Sequence, residues 1–449
     1  MNDSSMQTSA EQNIQAFTAD WIIPMTEDGL WLENNAIVIA EGKILEVLPK
    51  DQLEKRFPGC LTEHLPGQVL LPGFVNAHGH AAMNLLRGLS DDLPLKQWLE
   101  KSIWPVEARF VDETFVYQGS QHAIAEMLRS GTTCFQDMYF MPDQAARAAQ
   151  DSGIRASIGL VVVEFETSWA QNAQECIDKG LDVYDQFKHS QAIDFNLAPH
   201  APYTVSRSTL EKLGMLSNEL NLTMQMHVHE TAHEVDTFVA EEGIRPLARL
   251  KELGLLSPLL NAVHMTQLNE GEIEWLAESG SHVIHCPQSN MKLASGVCPT
   301  LQLMQAGVNL ALGSDGAASN NDLDLIGEMR SAAMLAKLDY SNPTALSAYQ
   351  ALYMATMGGA NALGLSEKIG SLEPGKSADF IAIDLNRIET QPLYNPISQI
   401  VYACARDQVT HAWVNGKRLM KNRELLTLNQ SLILQNVAHW QSRISNRNS

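Results

Sequence analysis

A two-part pattern repeats along the middle of the chain. A short apolar run, often rich in β-branched residues, precedes a longer stretch in which apolar residues recur every three or four positions. The first part is typical of a buried strand and the second of an amphipathic helix. The apolar runs are residues 69–75, 132–138, 156–163, 194–199, 222–228, 261–265, 282–286 and 308–313. The helical stretches include residues 113–129, 170–188, 207–219, 234–253 and 323–338.

Eight strand-then-helix units predict an α/β fold, a parallel (β/α)8 TIM-like barrel. Residues 20–65 and 378–420 differ, because they read as alternating strands joined by glycine-containing turns. An isolated hairpin is marginally stable, so we expect both segments to share one small β-sandwich domain. The expected division is 1–68 and 367–425 for that domain, 69–366 for the barrel, and 426–449 for a C-terminal helix and tail.

Charge and hydropathy exclude several classes of protein. The 449 residues include 31 Lys and Arg against 52 Asp and Glu, a formal net charge of −21. A nucleic-acid-binding surface needs the opposite sign. No apolar run approaches the roughly 18 residues of a membrane helix, and residues 1–13 lack the basic and apolar parts of an export signal. We therefore expect a cytoplasmic globular protein without nucleic-acid or membrane partners.

Polar residues cluster where the predicted strands end. In a barrel of this kind the active site lies at the carboxyl ends of the strands, so these positions are informative. They hold Asn76, His78 and His80 after the first run, His200 after the fourth, His227, His229 and Glu230 at the fifth, His264 in the sixth, and Ser314 and Asp315 after the eighth.

The spacing of these histidines predicts a metal site. His78 and His80 are two residues apart, so on an extended chain both side chains leave one face and can share an ion. The barrel would bring a histidine of the fifth run and Asp315 to the same mouth. Three imidazoles and a carboxylate suit Zn²⁺. His227 and His229 have the same spacing, which leaves open which of them binds the metal.

Two further motifs match signatures whose structural context is missing. Residues 229–233 match HExxH, but this protease motif requires both histidines on one helix face, and the segment starts at a strand end. Residues 370–377 match the P-loop pattern GxxxxGKS, but residues 378–383 read as a strand where a P-loop needs a helix. We therefore expect neither a zinc protease nor a nucleotide-phosphate site.

Taken together, the motifs resemble the 5′-methylthioadenosine/S-adenosylhomocysteine deaminases of the amidohydrolase superfamily. The similarity spans about residues 20–425 and includes PGFVNAHGH (72–80), SGTT (130–133), HVHET (227–231), HCP (285–287), GSDG (313–316) and GSLEPGK (370–376). The resemblance implies that one Zn²⁺ per subunit is bound by His78, His80, His227 and Asp315. It also implies catalytic roles for Glu230, His264 and Asp315, and substrate contacts from Glu107, His200, Glu230 and Trp98.

The implied reaction is hydrolysis of the amino group of an adenine nucleoside, giving the inosine analogue and ammonia. Zinc would activate water, Glu230 would protonate the purine ring, and His264 with Asp315 would relay a proton to the ammonia. Binuclear relatives bridge two metals with a lysine at the end of strand 4, which residues 196–200 lack. Residues 156–178 contain no Lys or Arg, so we expect 5′-methylthioadenosine to be preferred, adenosine accepted and S-adenosylhomocysteine used less well.

Two other functions use the same ligands. A related amidohydrolase could act on another aminated ring, as a guanine- or cytosine-type deaminase, or as an s-triazine chlorohydrolase that releases chloride. A non-enzymatic metal-binding protein would bind zinc and turn over no aminopurine. The expected partner is a small-molecule nucleoside, and the sequence leaves open whether the chain forms a homo-oligomer, either a dimer or a tetramer.

Overall fold

The computed structural model of the protein describes residues 14–446. The expectation about an export signal concerns residues 1–13, which lie outside the described residues, as do residues 447–449 of the C-terminal tail. The N-terminal part contains five strands among the described residues: β1 (Gln15–Ile22), β2 (Leu32–Glu33), β3 (Asn35–Ala40), β4 (Lys43–Pro49) and β5 (Leu61–Pro72).

Eight parallel strands within the described chain then form a barrel, in which each strand pairs with the next in sequence. They are β6 (Phe74–Asn76), β7 (Thr132–Tyr139), β8 (Arg155–Val162), β9 (Ile193–Pro199), β10 (Thr223–Val228), β11 (Leu260–His264), β12 (His282–His285) and β13 (Leu310–Leu312). Ala77 N donates to Leu312 O at 2.9 Å, which links the first strand to the last. The predicted fold class is confirmed.

The C-terminal strands of the described chain are β14 (Phe380–Asp384), β15 (Val409–Val414), β16 (Lys417–Lys421) and β17 (Glu424–Leu425). β14 pairs antiparallel with β5, and β5 pairs parallel with β1, so strands from both ends of the chain form one nine-stranded sheet within residues 14–446. The prediction that the two ends share one sheet is confirmed. The exact domain boundaries stay predictions.

Helices follow the barrel strands and also close the chain. They are α1 (Lys50–Arg56), α2 (Leu95–Trp98), α3 (Trp104–Phe110), α4 (Glu113–Arg129), α5 (Pro142–Ser152), α6 (Ala173–Phe187), α7 (Arg207–Leu220), α8 (Ala232–Glu242), α9 (Pro246–Glu252), α10 (Glu270–Ser279), α11 (Pro287–Lys292), α12 (Thr300–Gln305), α13 (Ala317–Asn320), α14 (Leu325–Asp339), α15 (Ala348–Met354), α16 (Met357–Ala362), α17 (Pro396–Tyr402) and α18 (Gln430–Ser445). Among the described helices, none combines the length and apolar character needed to cross a bilayer.

Two predicted elements are divided in the structure. The run 69–75 is two strands, because the chain leaves the terminal sheet after Pro72 and enters the barrel at Phe74. Gly73 sits at the crossing, where a Cβ atom would lie 1.9 Å from Thr133 Oγ1. The stretch 234–253 is two helices, because Gly243 ends α8 in a left-handed conformation and Pro246 begins α9.

Polar residues at the ends of the barrel strands are unusual because the strands themselves are buried. Strands β7, β8, β10 and β11 are buried along their whole length. Parallel strands covered on both faces are normally apolar throughout. Buried polar side chains at the carboxyl ends of these strands therefore require hydrogen-bond or ligand partners.

Candidate functional site

Four predicted ligand residues converge at the mouth of the barrel. His78 and His80 follow β6, His227 lies in β10, and Asp315 follows β13. One donor atom from each lies within 4.8 Å of the others. The Nε2 atoms of His78 and His227 are 3.1 Å apart, and His80 Nε2 lies 3.1 Å from Asp315 Oδ1.

The second ring nitrogen of each clustered histidine is held by an oxygen atom. The Nδ1 contacts are Gln225 Oε1 at 3.0 Å for His78, Met138 O at 2.6 Å for His80, and His200 O at 2.8 Å for His227. Because each partner is an acceptor, Nδ1 carries the proton and Nε2 faces the centre of the cluster. This arrangement orients imidazoles to bind a metal ion.

The protonation states of the clustered histidines also suit the binding of a cation. Burial lowers the pKa of His78, and that of His227 well below its ordinary value, so both rings are neutral and can act as ligands. Burial opposes protonation of His80, but its hydrogen bond with Asp315 raises the pKa to about 9. A bound metal ion would replace the proton shared by His80 and Asp315.

The carboxylate of Asp315 is held by both of its oxygen atoms. Burial favours its neutral form, but its contacts with His78 and His80 hold its pKa well below the usual range. Oδ2 accepts hydrogen bonds from Ser289 Oγ at 2.6 Å and Ser319 Oγ at 3.0 Å. Asp315 is therefore ionised, with Oδ1 directed at the histidines.

Glu230 and His264 lie beside the cluster. His264 Nε2 is 3.7 Å from Glu230 Oε2, and Asn290 Nδ2 donates to His264 Nδ1 at 3.0 Å. Burial and the nearby charge of Asp315 raise the pKa of Glu230 to about 8, whereas burial lowers that of His264 to about 4. At neutral pH the pair offers a protonated carboxyl group and a neutral imidazole.

The structure separates the two candidate histidines at the end of β10, His227 within the strand and His229 just after it. His229 is fully buried outside the cluster, where its Nε2 accepts from Leu247 N at 3.2 Å and its Nδ1 lies 3.9 Å from Glu272 Oε2. His227 is the one that joins the other donors. His233 is exposed on α8, so the HExxH residues do not meet at one ion.

A cavity of about 580 Å³ opens above the cluster. Each residue that the resemblance assigned to substrate contact lines it, namely Trp98, Glu107, His200 and Glu230. Tyr139 OH donates to Glu107 Oε1 at 2.7 Å, and burial raises the pKa of Glu107. His200 Nδ1 lies 3.0 Å from Thr204 Oγ1, and burial lowers its pKa to about 4.

Sequence reasoning missed Glu234. Its carboxylate accepts hydrogen bonds from the backbone nitrogens of His229 at 3.0 Å, Glu230 at 2.7 Å and Thr231 at 3.4 Å. Thr231 Oγ1 accepts from Glu234 N in return, which completes a capping box at the start of α8. The spacing Thr231-x-x-Glu234 is the sequence signal that could have revealed it.

The sequence pattern of the amidohydrolase family matches residues 69–419, which span the barrel and its donor cluster. The chain belongs to the amidohydrolase family. Its amidohydrolase relatives include the 5-methylthioadenosine/S-adenosylhomocysteine deaminases of Teredinibacter turnerae, 46% identical over 426 residues, and Saccharophagus degradans, 47% identical over 427 residues. Each alignment covers 95% of this chain and 96% of the relative.

Solved amidohydrolase structures agree with this fold. An adenosine deaminase from Xanthomonas campestris with bound zinc has a TM-score of 0.95 and 46% identity, covering 96% of this chain and 98% of that chain. The atrazine chlorohydrolase TrzN from Arthrobacter aurescens has a TM-score of 0.87 and 21% identity, covering 95% and 99% of the two chains. The second likeness shows the shared fold alone.

Proposed function

We propose that this amidohydrolase is a zinc-dependent hydrolytic deaminase of adenine nucleosides. It converts 5′-methylthioadenosine and adenosine, and S-adenosylhomocysteine less well, to the inosine analogue and ammonia. The observation that carries the proposal is one cavity in which Glu230 and His264 lie beside a donor set of three histidines and an aspartate. The names of the relatives at 46–47% identity support the same activity.

His78, His80, His227 and Asp315 would hold the zinc ion. Three imidazole nitrogens and one carboxylate oxygen match the ligand types and the number that zinc prefers. A bound zinc ion supplies Lewis-acid activation of water at neutral pH. Residues 196–200 at the end of β9 contain no lysine that could bridge a second metal, which supports one ion per chain.

The proton transfers fall to Glu230, His264 and Asp315. Hydrolytic deamination needs a proton on the ring nitrogen beside the attacked carbon and another on the departing amine. Glu230 holds a proton at neutral pH, because burial raises its pKa to about 8, and it donates that proton to the ring. His264 is neutral, and its Nε2 faces the cavity because Asn290 holds Nδ1. With Nδ1 accepting from Asn290, His264 keeps its proton on Nε2 and orients the water as a donor. Asp315 would pass one proton of the water to the amine, and the other would return to Glu230.

The remaining predicted residues bind the nucleoside. Glu107 lines the cavity from α3, and its carboxyl group can accept hydrogen bonds from the ribose hydroxyls. His200 presents a neutral imidazole to the purine, because burial lowers its pKa to about 4. Thr204 occupies its Nδ1 atom. Trp98 is buried, and its indole Nε1 donates to Ser90 O at 3.1 Å, which leaves the ring as an apolar wall.

A panel of substrates tests the proposal against other amidohydrolase activities. Zinc-loaded protein is incubated with adenosine, 5′-methylthioadenosine, guanine, cytosine and a chloro-s-triazine, and released ammonia and chloride are measured. We expect ammonia from the two adenine nucleosides at rates well above those from the other rings. Faster turnover of guanine, cytosine or the triazine than of the adenine nucleosides would show that the proposed substrate class is wrong.

A further inference from the structure

Two half-exposed aromatic residues stand at the outer end of the cavity. Trp104 of α3 is 38% exposed, and Phe165, in the segment after β8, is 46% exposed. Both line the cavity, and their ring centroids are 6.3 Å apart with an angle of 52° between the planes. At the other end, His78, His227 and Asp315 of the donor cluster are buried, and His80 is partly buried. The cavity therefore runs from the donor cluster to an aromatic pair.

Phe165 is held in place by its neighbours in the chain. Glu164 N donates to Thr204 O at 3.1 Å, and Glu164 Oε1 accepts from Ser206 N at 2.8 Å and Thr209 Oγ1 at 2.7 Å. The carboxylate of Glu164 is thus engaged at the start of α7. These bonds anchor the backbone next to Phe165, which lines the cavity although it is exposed.

Trp104 shares a helix face with the residue proposed to bind ribose. It lies three positions before Glu107 in α3, and residues at that spacing neighbour each other on a helix surface. Glu107 accepts a hydrogen bond from Tyr139 inside the cavity, whereas Trp104 reaches the mouth. The order along the cavity is the donor cluster, then Glu107, then the aromatic pair.

This order fixes the direction of a bound nucleoside. The purine carbon that reacts must lie at the donor cluster, and the 5′ carbon of the ribose is at the far end of the molecule. We propose that Trp104 and Phe165 bind an apolar 5′ substituent, such as a thioether, and determine specificity among 5′-substituted adenine nucleosides. This inference rests on the proposed function. Sulfur and methyl groups make favourable contacts with aromatic rings.

The charged residues that line the cavity also favour an apolar 5′ substituent over a charged one. None of its lining residues, all within the described chain, is Lys or Arg, and Glu166 lies at the rim beside Phe165. The carboxylate of an amino-acid tail would meet an acid and find no cation to pair with in this lining. A charge-assisted hydrogen bond to such a tail is therefore missing, which disfavours S-adenosylhomocysteine.

The test compares Trp104→Ala and Phe165→Ala with the unaltered protein. The readout is the ratio of kcat/KM for 5′-methylthioadenosine to that for adenosine. This ratio is insensitive to the fraction of folded protein, because both substrates sample the same active molecules. We expect each variant to lower the ratio about threefold to tenfold. Trp104→Phe should recover most of the loss, and Met215→Ala, an exposed residue of α7 outside the cavity lining, should leave the ratio unchanged.

The outcomes separate this inference from the proposed function. If the unaltered protein deaminates neither nucleoside, the proposed function fails. If it deaminates both and the ratio is the same in Trp104→Ala and Phe165→Ala, only the specificity assignment fails. A ratio that favours S-adenosylhomocysteine over 5′-methylthioadenosine in the unaltered protein would also overturn it.

Discussion

The backbone amide of Asp315 donates a hydrogen bond to the carbonyl oxygen of His78 at 3.1 Å. Gly79 and Asp315 also form a parallel bridge, so the segments after the first and last barrel strands are joined at the donor cluster. Gly313 allows this approach, because a Cβ atom there would lie 2.8 Å from His78 Cβ. Closure of the barrel between its first and last strands therefore brings His78 and His80 next to Asp315.

Replacing His227 and His229 separately by alanine tests the ligand assignment. We predict that His227→Ala loses most of its zinc and activity, because one of four ligands is removed. His229→Ala is the matched control and should keep its zinc, since His229 faces Leu247 and Glu272 outside the cluster. Elemental analysis checks both variants. A full zinc complement in His227→Ala, with His229→Ala empty, would reverse the assignment.

Glu230 is predicted to act in proton transfer without holding the metal. Glu230→Gln keeps the size of the side chain and removes the transferable proton. The expected loss of kcat is about 10²- to 10⁴-fold, as for other positioned acid–base groups, with zinc content unchanged. Steady-state kinetics on protein of measured zinc content decides the point, and near-normal kcat would refute the role.

Glu234 is predicted to position Glu230 through the backbone. Glu234→Ala removes the acceptor for Glu230 N and two neighbouring amides, and a displaced acid should lower kcat about tenfold or more while zinc stays bound. Gln350→Ala removes the corresponding side chain from the capping box of α15, outside the cavity lining, and serves as control. Both variants lose one side chain of a capping box and should lose about 0.3–1.5 kcal/mol of stability. Equal kcat values in the two variants would show that Glu234 only caps the helix and does not position Glu230.

The junction between barrel and terminal sheet should depend on Arg155. Its Nε atom lies 2.8 Å from Asp379 Oδ2, and both side chains are only 2% exposed. Arg155→Ala leaves a buried carboxylate unpaired, so we expect a loss of about 3–5 kcal/mol in the free energy of unfolding. Arg207→Ala breaks an exposed pair with Glu211 and should cost less than about 1 kcal/mol. Urea denaturation that gives equal losses would contradict this account.

The sequence predicted the parts of the fold that follow from periodicity. The eight apolar runs correspond to the barrel strands, and α4 coincides with the predicted helix 113–129. Periodicity could not show that the run 69–75 changes sheets, because both halves are equally apolar and the break depends on contact between Gly73 and Thr133. The division of 234–253 was readable from Gly243 and Pro246.

The sequence predicted which residue types form the site, but not every residue that points into it. Strand ends identified His78, His80 and Asp315, but equal spacing could not separate His227 from His229, since the distinction depends on which way each ring points. The Trp104–Phe165 pair depends on contact between segments far apart in sequence, and the role of Glu234 depends on the backbone amides that donate to its carboxylate. Such contacts leave only a weak signal in a single sequence.

Removal and return of zinc tests the central claim most directly. The absorbance change from adenine to hypoxanthine is followed with 5′-methylthioadenosine and protein of known zinc content. We predict turnover by the zinc-loaded protein, loss of turnover after chelation, and recovery in proportion to added zinc up to one equivalent per chain. Undiminished turnover by the chelated protein, or bound zinc without turnover of any adenine nucleoside, would contradict the account.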